Sequence, residues 1–283
     1  MGPRYSRRLG ETADSLRVMT KPTKALILCR DLDFSWFTSH LPDHVLDLDV
    51  LGESLWLHYR RLFAALGIDE VRILSETAAP RGAKLPETWP WQPSEGILQT
   101  LSGQRIFLRG ARTLIVRAPV YFLAPEFPGG VPAAFGEATH PGLEPVWLSP
   151  EGRITPWDGG PWLSLTRAKD YHRLVLRLLA TLPPPIPDLR GIPQGAILEA
   201  PVRLARGTRI ARGCRVGPQT VLGPRVSLDR DVRIDRTILY GGQHLGPGVE
   251  LSGKLVLGTS ILTPENGAVT PVSDGRILKF CHP

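Results

Sequence analysis

The carboxy-terminal third of the chain repeats an aliphatic residue at every sixth position. A small or β-branched residue lies two positions before each following anchor. This period is typical of a parallel β-helix, in which each hexad supplies one short strand and one turn and three hexads close a coil of about eighteen residues. The aliphatic anchors are Ile192, Leu198, Leu204, Ile210, Val216, Leu222, Leu228 and Ile234, and the small or β-branched residues are Ala196, Val202, Thr208, Cys214, Thr220, Val226, Val232 and Ile238.

The hexad pattern continues beyond Ile234 after a slip of one residue near Tyr240, so about four coils are predicted over residues 192–262. The later anchors are Leu245, Leu251 and Leu257, with further inward residues at Val249, Leu255 and Ile261. One coil cannot bury its own inner face, so the coils must stack. Each aliphatic residue removed from water contributes about 1.5–3 kcal/mol. An ordinary antiparallel β domain would instead alternate with a period of two.

The first half of the chain shows strand and helix patterns in alternation. Lys24–Leu28 and Val71–Leu74 are apolar runs typical of buried strands, and Thr113–Val116 is a third. Between the first two, residues 53–66 carry apolar residues at helical spacing, and Gly67 ends the helix. A βαβ unit within an α/β sheet with parallel members is predicted. The apolar face of the helix comprises Leu55, Tyr59, Leu62, Phe63 and Leu66.

Proline-rich segments and changes of pattern predict five parts. These are a tail (1–23), an α/β domain (24–182), a proline-rich linker (183–191), the β-helix (192–262) and a carboxy-terminal cap (263–283) that includes a closing strand at Arg276–Phe280. The first strand follows Met19 closely, so translation from Met1 or from Met19 is left open. Proline-rich segments at Leu85–Pro93 and Ala124–Pro132 also divide the chain. Trp89 and Trp91 in the first of these suit packing or a lid, with a binding surface as the alternative.

Composition adds limits on the setting of the protein. No apolar stretch approaches the roughly 18 residues of a membrane span, and the amino terminus lacks the apolar core of a signal peptide. Cys29, Cys214 and Cys281 have no metal or disulfide spacing, which favours a reducing, cytoplasmic location. The net charge of +7 comes mainly from arginine. Without a basic and aromatic run, a helix-turn-helix or zinc spacing, nucleic acid is not the expected partner.

Three passages resemble the nucleotidyltransferases that make NDP-sugars. They are Lys24–Leu28, Val50–Leu74 and Trp157–Pro161, the last followed by a predicted helix from Tyr171 to Leu179 and then by the hexapeptide repeat, in the order of that family. The resemblance implies a shortened nucleotidyltransferase-like sheet followed by a left-handed parallel β-helix. It also implies a role in sugar-nucleotide or cell-surface polysaccharide biosynthesis, with a nucleotide or sugar phosphate as ligand and Mg²⁺ as cofactor if transfer activity is retained.

The residues that perform the chemistry in that family are not matched. The loop after the first strand, Cys29–Trp36, has no glycine to admit a triphosphate and carries Asp31 and Asp33, which repel phosphate. The lysine of the family corresponds to about Val45. Its metal-binding Gly-Asp pair corresponds to about Ala118–Pro119, and a proline side chain cannot coordinate a metal. The resemblance therefore implies an impaired domain, acting as a regulatory or assembly partner.

Two site residues remain within this α/β domain. Arg30 is a candidate for binding phosphate, although an ion pair with Asp31 or Asp33 is the plainer expectation. Asp158 is a candidate metal ligand or catalytic carboxylate, although Trp157–Pro161 also has the composition of a turn. No catalytic residue is therefore secure.

Two other functions depend on the repeat itself. Related β-helix acyltransferases use a histidine on a coil loop as the base, and His244 is the one histidine among the predicted coils. The second of these functions is that of a structural module, in which the repeat forms homo- or hetero-oligomers. Eighteen residues per coil would also place Arg212 below Arg230, and Arg215 below Arg233. These four arginines could bind a phosphate, an acidic glycan or an acidic partner subunit, or form a solvated face.

Overall fold

The computed structural model describes residues 23–30, 35–38, 44–76, 88–91, 97–123, 144–181 and 192–281. They form an amino-terminal α/β region and a carboxy-terminal run of short parallel strands. The strands of the α/β region are β1 (Thr23–Cys29), β2 (Asp49–Val50), β3 (Glu53–Ser54), β4 (Ile68–Ser75), β5 (Thr88–Pro90), β6 (Arg112–Ala118), β7 (Val120–Phe122), β8 (Val146–Leu148), β9 (Ile154–Pro156) and β10 (Trp162–Ser164). Its helices are α1 (Ser35–Thr38), α2 (Leu55–Ala65), α3 (Ile97–Gly103), α4 (Arg105–Leu108) and α5 (Ala168–Thr181), and Val45–Asp47 forms a 3₁₀ turn.

The main sheet has the order β5-β4-β1-β6-β8-β9. Strands β5, β4, β1 and β6 are parallel, whereas β8 and β9 pair antiparallel at one edge. The predicted βαβ unit is confirmed, and α2 buries Leu55, Tyr59 and Phe63. The helix begins later than predicted because Ser54 is its N-cap, with the Ser54 hydroxyl accepting from Leu57 N at 3.2 Å.

The segment predicted to divide the chain at Leu85–Pro93 supplies a strand of this sheet. Thr88–Pro90 pairs with β4 at its edge, where proline is tolerated because one side of the strand needs no partner. Trp91 packs against the core, and its indole donates to Thr100 Oγ1 at 3.0 Å. Trp89 is 38% exposed and lies under the Arg72 guanidinium, 4.5 Å from the ring centroid. The packing interpretation therefore holds fully for Trp91 and in part for Trp89.

The carboxy-terminal strands form three sheets with the orders β11-β14-β17-β20 (first), β12-β15-β18-β21-β22-β23 (second) and β13-β16-β19-β24 (third). Successive strands along the chain belong to different sheets, an arrangement compatible with a β-helix. The strands are β11 (Ile197–Leu198), β12 (Val202–Leu204), β13 (Arg209–Ile210), β14 (Arg215–Val216), β15 (Thr220–Leu222), β16 (Ser227–Leu228), β17 (Arg233–Asp235), β18 (Ile238–Leu239), β19 (Gln243–Leu245), β20 (Glu250–Ser252), β21 (Leu255–Leu257), β22 (Ser260–Thr263), β23 (Ala268–Pro271) and β24 (Leu278–Phe280).

The six-residue period is visible both in the turns and in the shared core. Left-handed backbone recurs at six-residue intervals, at Gly207, Gly213, Gln219, Arg225 and Asp231. The three sheets share a cluster of buried side chains that includes most of the predicted inward residues. Its buried members are Ile210, Cys214, Val216, Leu222, Val226, Leu228, Val232, Ile234, Leu239, Leu245, Val256 and Leu278. Leu255 and Leu257 were also predicted to face inward, but they pack in the core of the α/β region, and Val256 takes the inward position between them.

The register slip lies earlier than predicted. The next left-handed residue after Asp231 is Arg236, which comes after five residues instead of six. Beyond this point Val221 pairs with Ile238, whereas an unbroken period would pair it with Leu239. The predicted position near Tyr240 and the predicted inward position of Ile238 are therefore wrong. Leu239 takes the inward position, and Ile238 packs in the core of the α/β region.

Strands β15, β18 and β21 of the second sheet are buried on both faces. Val221, Ile238 and Leu255 belong to the core of the α/β region, while Leu222 and Leu239 belong to the cluster that the three sheets share. On the other two sheets the residue before the anchor is mostly polar, as in Arg215-Val216 and Ser227-Leu228, with the exposed Ile197 before Leu198 as an exception. The α/β region therefore packs on one of the three sheets and leaves polar outer faces on the others.

The end of the repeat is closed by antiparallel strands. Strand β22 turns back on β21, so parallel pairing stops before the predicted end at residue 262, and β23 extends the same hairpin. The predicted closing strand at Arg276–Phe280 is confirmed as β24, which pairs antiparallel with β19. These strands give partners to edges that would otherwise be unpaired. Among the described residues, none of the helices has the length and apolar composition that crossing a membrane requires.

Candidate functional site

The strand order of the main sheet reverses between β1 and β6. In open α/β sheets ligands bind beside such a point, outside the carboxyl ends of the strands. This edge carries Arg30 directly after β1 and Pro119 directly after β6. The Nε atom of Arg30 is buried and has no hydrogen-bond partner in the part of the chain that the structure describes. Asp31 and Asp33, its predicted ion-pair partners, lie outside the described residues. Arg30 is thus at a suitable place for an anion.

The rest of this edge is occupied by side chains that pack or form hydrogen bonds within the α/β region. The Tyr59 hydroxyl donates to Val120 O at 2.7 Å and accepts from Val120 N at 3.1 Å. Burial raises the pKa of Tyr59 far above its ordinary value, so the phenol stays protonated. Val45, at the position of the family's lysine, is buried in the 3₁₀ turn. Across the described ranges no three His, Cys, Asp or Glu side chains group together in a way that would hold a metal ion.

Helix α1, which follows the loop after β1, has two aromatic side chains that pack against α5 and against the carboxy-terminal strands. Phe37 is fully buried, and its ring meets the Tyr240 ring edge to face with 5.4 Å between centroids. Trp36 lies 5.2 Å from the Tyr171 ring, and its indole donates to Leu165 O at 3.0 Å. Trp36 therefore packs against α5, and Phe37 packs against the residue that follows β18 of the second sheet.

The hydroxyls of Tyr240 and Tyr171 form hydrogen bonds with the backbone of residues 47–49. Tyr240 accepts from Asp49 N at 2.9 Å and donates to Asp47 O at 3.2 Å, while Tyr171 donates to Asp49 O at 2.6 Å. Burial, with smaller contributions from Tyr240 and Asp49, raises the pKa of Tyr171 well above its ordinary value. Both hydroxyls donate to backbone carbonyls, which fixes the spacing between the 47–49 segment, α5 and the second sheet.

A cavity of about 410 Å³ lies beside these tyrosines. It is bounded by the 47–51 segment, α5, the turns at 223–225 and 240–242, and the end of β24. The Asp49 carboxylate accepts from Gly52 N at 2.8 Å. Burial raises the pKa of Asp49, and the bond from Gly52 and the charge of Arg203 oppose that shift. The cavity was not predicted from the sequence. The signal for its apolar wall was present in Val221-Leu222 and Ile238-Leu239, where two apolar residues are adjacent.

The four predicted arginines of the repeat stack as the spacing indicated. Arg215 and Arg233 are paired residues of β14 and β17, and the turns of Arg212 and Arg230 are linked by a bond from Asp231 N to Arg212 O of 3.2 Å. Carboxylates share this face: Arg215 forms an ion pair with Glu199, and Arg233 forms one with Glu250 at 3.3 Å. Because two of the four guanidinium groups have carboxylate partners, the face is less cationic than predicted. Anion binding there stays a prediction.

Asp158 has a structural partner. Its Oδ1 accepts from the Trp147 indole at 3.1 Å, and the Trp157 indole closes the same turn by donating to Gly160 O at 2.9 Å. The rings of Trp147 and Trp157 lie 5.8 Å apart. These contacts favour the turn interpretation of Asp158 over a metal ligand.

His244 lies on β19, with its side chain beside that of Ser227 on the neighbouring strand. The distance from His244 Nδ1 to Ser227 Oγ is 2.6 Å. Lys279 is its partner on β24. The sequence provided no orienting group for this histidine, and the ladder pairing supplies one. His244 and the cavity are separate features, since the histidine is not among the cavity's lining residues.

No protein-family model matches this chain, and no curated protein matches it. The likeness to nucleotidyltransferases therefore rests on the sequence passages given above and on the order of the two regions.

Proposed function

We propose that this chain is a nucleotidyltransferase-like protein of sugar-nucleotide or cell-surface polysaccharide biosynthesis that is impaired in catalysis. In this proposal it acts in the cytoplasm as a regulatory or assembly partner, and its carboxy-terminal repeat is a left-handed β-helix. The observation that carries the proposal is the packing of Phe37 on Tyr240. The segment after β1, where the resembled enzymes hold a triphosphate, contributes a fully buried aromatic anchor to the interface between the two regions.

Nucleotidyl transfer needs several charged groups around the phosphates. Catalysis of such a step is mainly positioning and electrostatic stabilisation, usually with Mg²⁺. In the described residues this edge of the sheet offers Arg30. Val45 stands where the resembled enzymes have a lysine, and Pro119 stands in the place of their metal-binding pair. A single guanidinium supports binding of an anion and falls short of what transfer requires. Mg²⁺ has no set of side-chain ligands among the described residues, so no step through a metal is derived.

Assembly is supported by the division of the three carboxy-terminal sheets. One sheet is covered by the α/β region, and the outer faces of the other two carry polar residues in ladders. Ladders of this kind present the same residues at regular spacing, which suits contact with a second copy or with a related subunit. A homo- or hetero-oligomer through the repeat is therefore part of the proposal.

The test combines an activity assay with a mass measurement. Purified protein with Mg²⁺, each of the four NTPs and a panel of sugar 1-phosphates should release no pyrophosphate above the rate without protein. Light scattering at micromolar concentration should give a mass above the 31.1 kDa of one chain. Turnover that disappears in Arg30→Ala would overturn the impaired-enzyme proposal, and a strict monomer would overturn assembly through self-association.

Acyl transfer is a second candidate, favoured by the bond between Ser227 and His244. If His244 Nδ1 donates to Ser227 Oγ, the unprotonated Nε2 is available as a base. Acyl transfer from coenzyme A thioesters that is lost in His244→Ala and kept in Ser227→Ala at a reduced rate would support it. Transfer that survives His244→Ala would remove this histidine from the reaction. A purely structural oligomerisation module would show neither activity.

A further inference from the structure

We propose that the cavity between the α/β region and the second sheet binds a nucleoside phosphate, with the base between the apolar walls and the phosphate at Arg225. The site is separate from the sheet edge at Arg30, which does not line it. It goes beyond the proposed function because it does not require the sheet edge at Arg30 to bind or transfer anything.

The walls of the cavity suit a flat apolar group. Val221 and Ile238 project from the outer face of the second sheet, and Val175 and Leu51 close the space from the α/β region. The volume of about 410 Å³ falls within the range of roughly 300–1,000 Å³ that is usual for small-molecule sites. Most such sites are apolar with a few placed polar groups. A ring system is therefore expected against these walls.

The cavity is held open before any ligand arrives. Tyr240 bonds to both Asp47 and Asp49, and Tyr171 bonds to Asp49, so the walls are linked by three hydrogen bonds. A preformed site costs a ligand little ordering of protein groups. The same bonds keep the Asp49 backbone in place, which sets the position of its carboxylate.

Asp47, Asp49 and Arg225 are the charged residues that line the cavity, and Asp49 and Arg225 have unused hydrogen-bonding capacity. In the described part of the chain, the Asp49 carboxylate accepts one bond, from Gly52 N, although a carboxylate has room for several. Arg225 also lines the cavity, and no described carboxylate pairs with it. The site thus offers an acceptor beside its apolar walls and a cation in the turn at its border. A ligand with N–H donors on an apolar body and an anionic group satisfies both.

Simpler ligands satisfy only part of the site. An apolar molecule would desolvate the half-buried Asp49 carboxylate further and add no donor to the one that Gly52 N supplies, which is costly. A free phosphate or a sugar phosphate would reach Arg225 and leave the walls of Val221, Ile238 and Val175 uncovered. A nucleoside phosphate combines a planar base with N–H groups and a phosphate, and so matches all three features.

Cys281 provides a direct readout of occupancy. It lines the cavity and is exposed, whereas Cys29 and Cys214 are buried. The rate of alkylation of Cys281 by N-ethylmaleimide, a neutral reagent, is measured on the full chain with ADP, GDP, UDP or dTDP. Parallel measurements use the matching nucleosides and inorganic phosphate. At least one nucleoside diphosphate should slow alkylation several-fold, in proportion to the fraction of protein that is occupied.

The decisive variant is Arg225→Asn. Arg225 has a left-handed backbone with φ of 58°, and asparagine tolerates that conformation while lacking the charge. Loss of a charge-assisted bond should weaken protection of Cys281 about tenfold or more in ligand concentration. The matched control is Arg236→Asn, another arginine with left-handed backbone that bonds to Asp235 and Ser252 and does not line the cavity. Each variant is compared with its own rate without ligand.

Every other outcome contradicts the proposal. Equal protection by inorganic phosphate would mean that Arg225 binds anions without a base, and equal protection by nucleosides would mean an apolar site. Protection that is unchanged in Arg225→Asn would contradict the assigned phosphate contact. Nucleotide binding detected by thermal shift that leaves Cys281 alkylation unchanged and is lost in Arg30→Ala would place the ligand at the sheet edge. That last result would leave the proposal of an impaired nucleotidyltransferase-like protein standing.

Discussion

The hydroxyl of Tyr240 and the backbone amide of Asp49 form a hydrogen bond of 2.9 Å between residues 191 positions apart in the chain. Tyr240 also receives the edge of the Phe37 ring, so one side chain of the repeat contacts two separate segments of the α/β region. Because Tyr240 follows the register slip directly, its position depends on the missing residue between Asp231 and Arg236. The slip therefore places an aromatic side chain where the two regions meet.

Removing the Phe37 ring should destabilise the protein strongly. Phe37 is fully buried, and replacing such a residue by alanine costs about 3–5 kcal/mol through lost burial and the cavity left behind. Ile106, which is 92% exposed, is the control, and Ile106→Ala should change the free energy of unfolding by less than about 0.5 kcal/mol. Urea unfolding of the two variants checks the difference. Equal stability of the two would mean that the Phe37 contact with Tyr240 does not join the regions.

Two glycines of the repeat should respond differently to the same substitution. Gly217 has φ of 107°, and a Cβ there would collide with the carbonyl oxygen of Glu199 on the preceding coil. Gly248 has φ of 70° and open space around the corresponding position. Gly248→Ala should therefore cost only the left-handed strain of about 1–2 kcal/mol. Gly217→Ala should cost clearly more, and thermal unfolding of the pair measures the difference. A smaller loss for Gly217→Ala would argue against the close stacking of these turns.

The repeat could be predicted from sequence because its period is set by local geometry. Each anchor such as Val216 or Leu228 faces the shared cluster for the same reason, so one pattern predicts many positions. The slip was misplaced because Ile238 and Leu239 are both aliphatic. Either could serve as an anchor, and the contact with the α/β region decides between them.

The candidate sites were harder to predict because they depend on long-range pairing. The partner of His244 is on the previous coil, and Asp158 is bonded to Trp147 across a turn between β8 and β9. Arg30 was identified from its position after a strand, which fixes it at the carboxyl edge of the sheet. The cavity needs contacts among three segments far apart in the chain, which no local spacing encodes.

Acid should destabilise the protein through its buried histidines. Burial lowers the pKa of His44 from 6.5 to about 4, and its Nδ1 accepts from Leu46 N at 3.2 Å. The unfolded chain therefore binds the proton first, and the stability present above pH 6.5 is lost as the pH falls towards 4. At about 1.36 kcal/mol per unit, His44 contributes at most about 3 kcal/mol of this loss.

Replacing His44 by asparagine tests that pH dependence. Asparagine keeps an acceptor near Leu46 N and does not titrate in this range. His44→Asn should reduce the slope of the free energy of unfolding against pH between pH 7 and pH 4. The reduction should be at most about 1.36 kcal/mol per pH unit, the value for one bound proton. His58, whose pKa burial also lowers to about 4, should leave part of the slope in place. Urea titrations at several pH values measure both, and an unchanged slope in His44→Asn would show that His44 takes up its proton at the same pH in the folded and unfolded states.

The interior of the repeat contains one polar side chain that should weaken it. Gln243 is 1% exposed, and neither its amide nitrogen nor its amide oxygen has a hydrogen-bond partner among the described residues. It occupies the position that Val226 holds on the preceding coil, since Ser227 pairs with His244. A buried amide without partners costs about 1–3 kcal/mol.

Gln243→Met keeps the length of the side chain and removes that cost, so it should raise the free energy of unfolding by about 1 kcal/mol or more. Gln104→Met is the control, because Gln104 Oε1 accepts from Arg72 at 2.8 Å and its loss should be slightly destabilising. If Gln243→Met instead lowers stability in chemical denaturation, the amide has partners within the coil, such as a bound water, and the interior is not dry at this level.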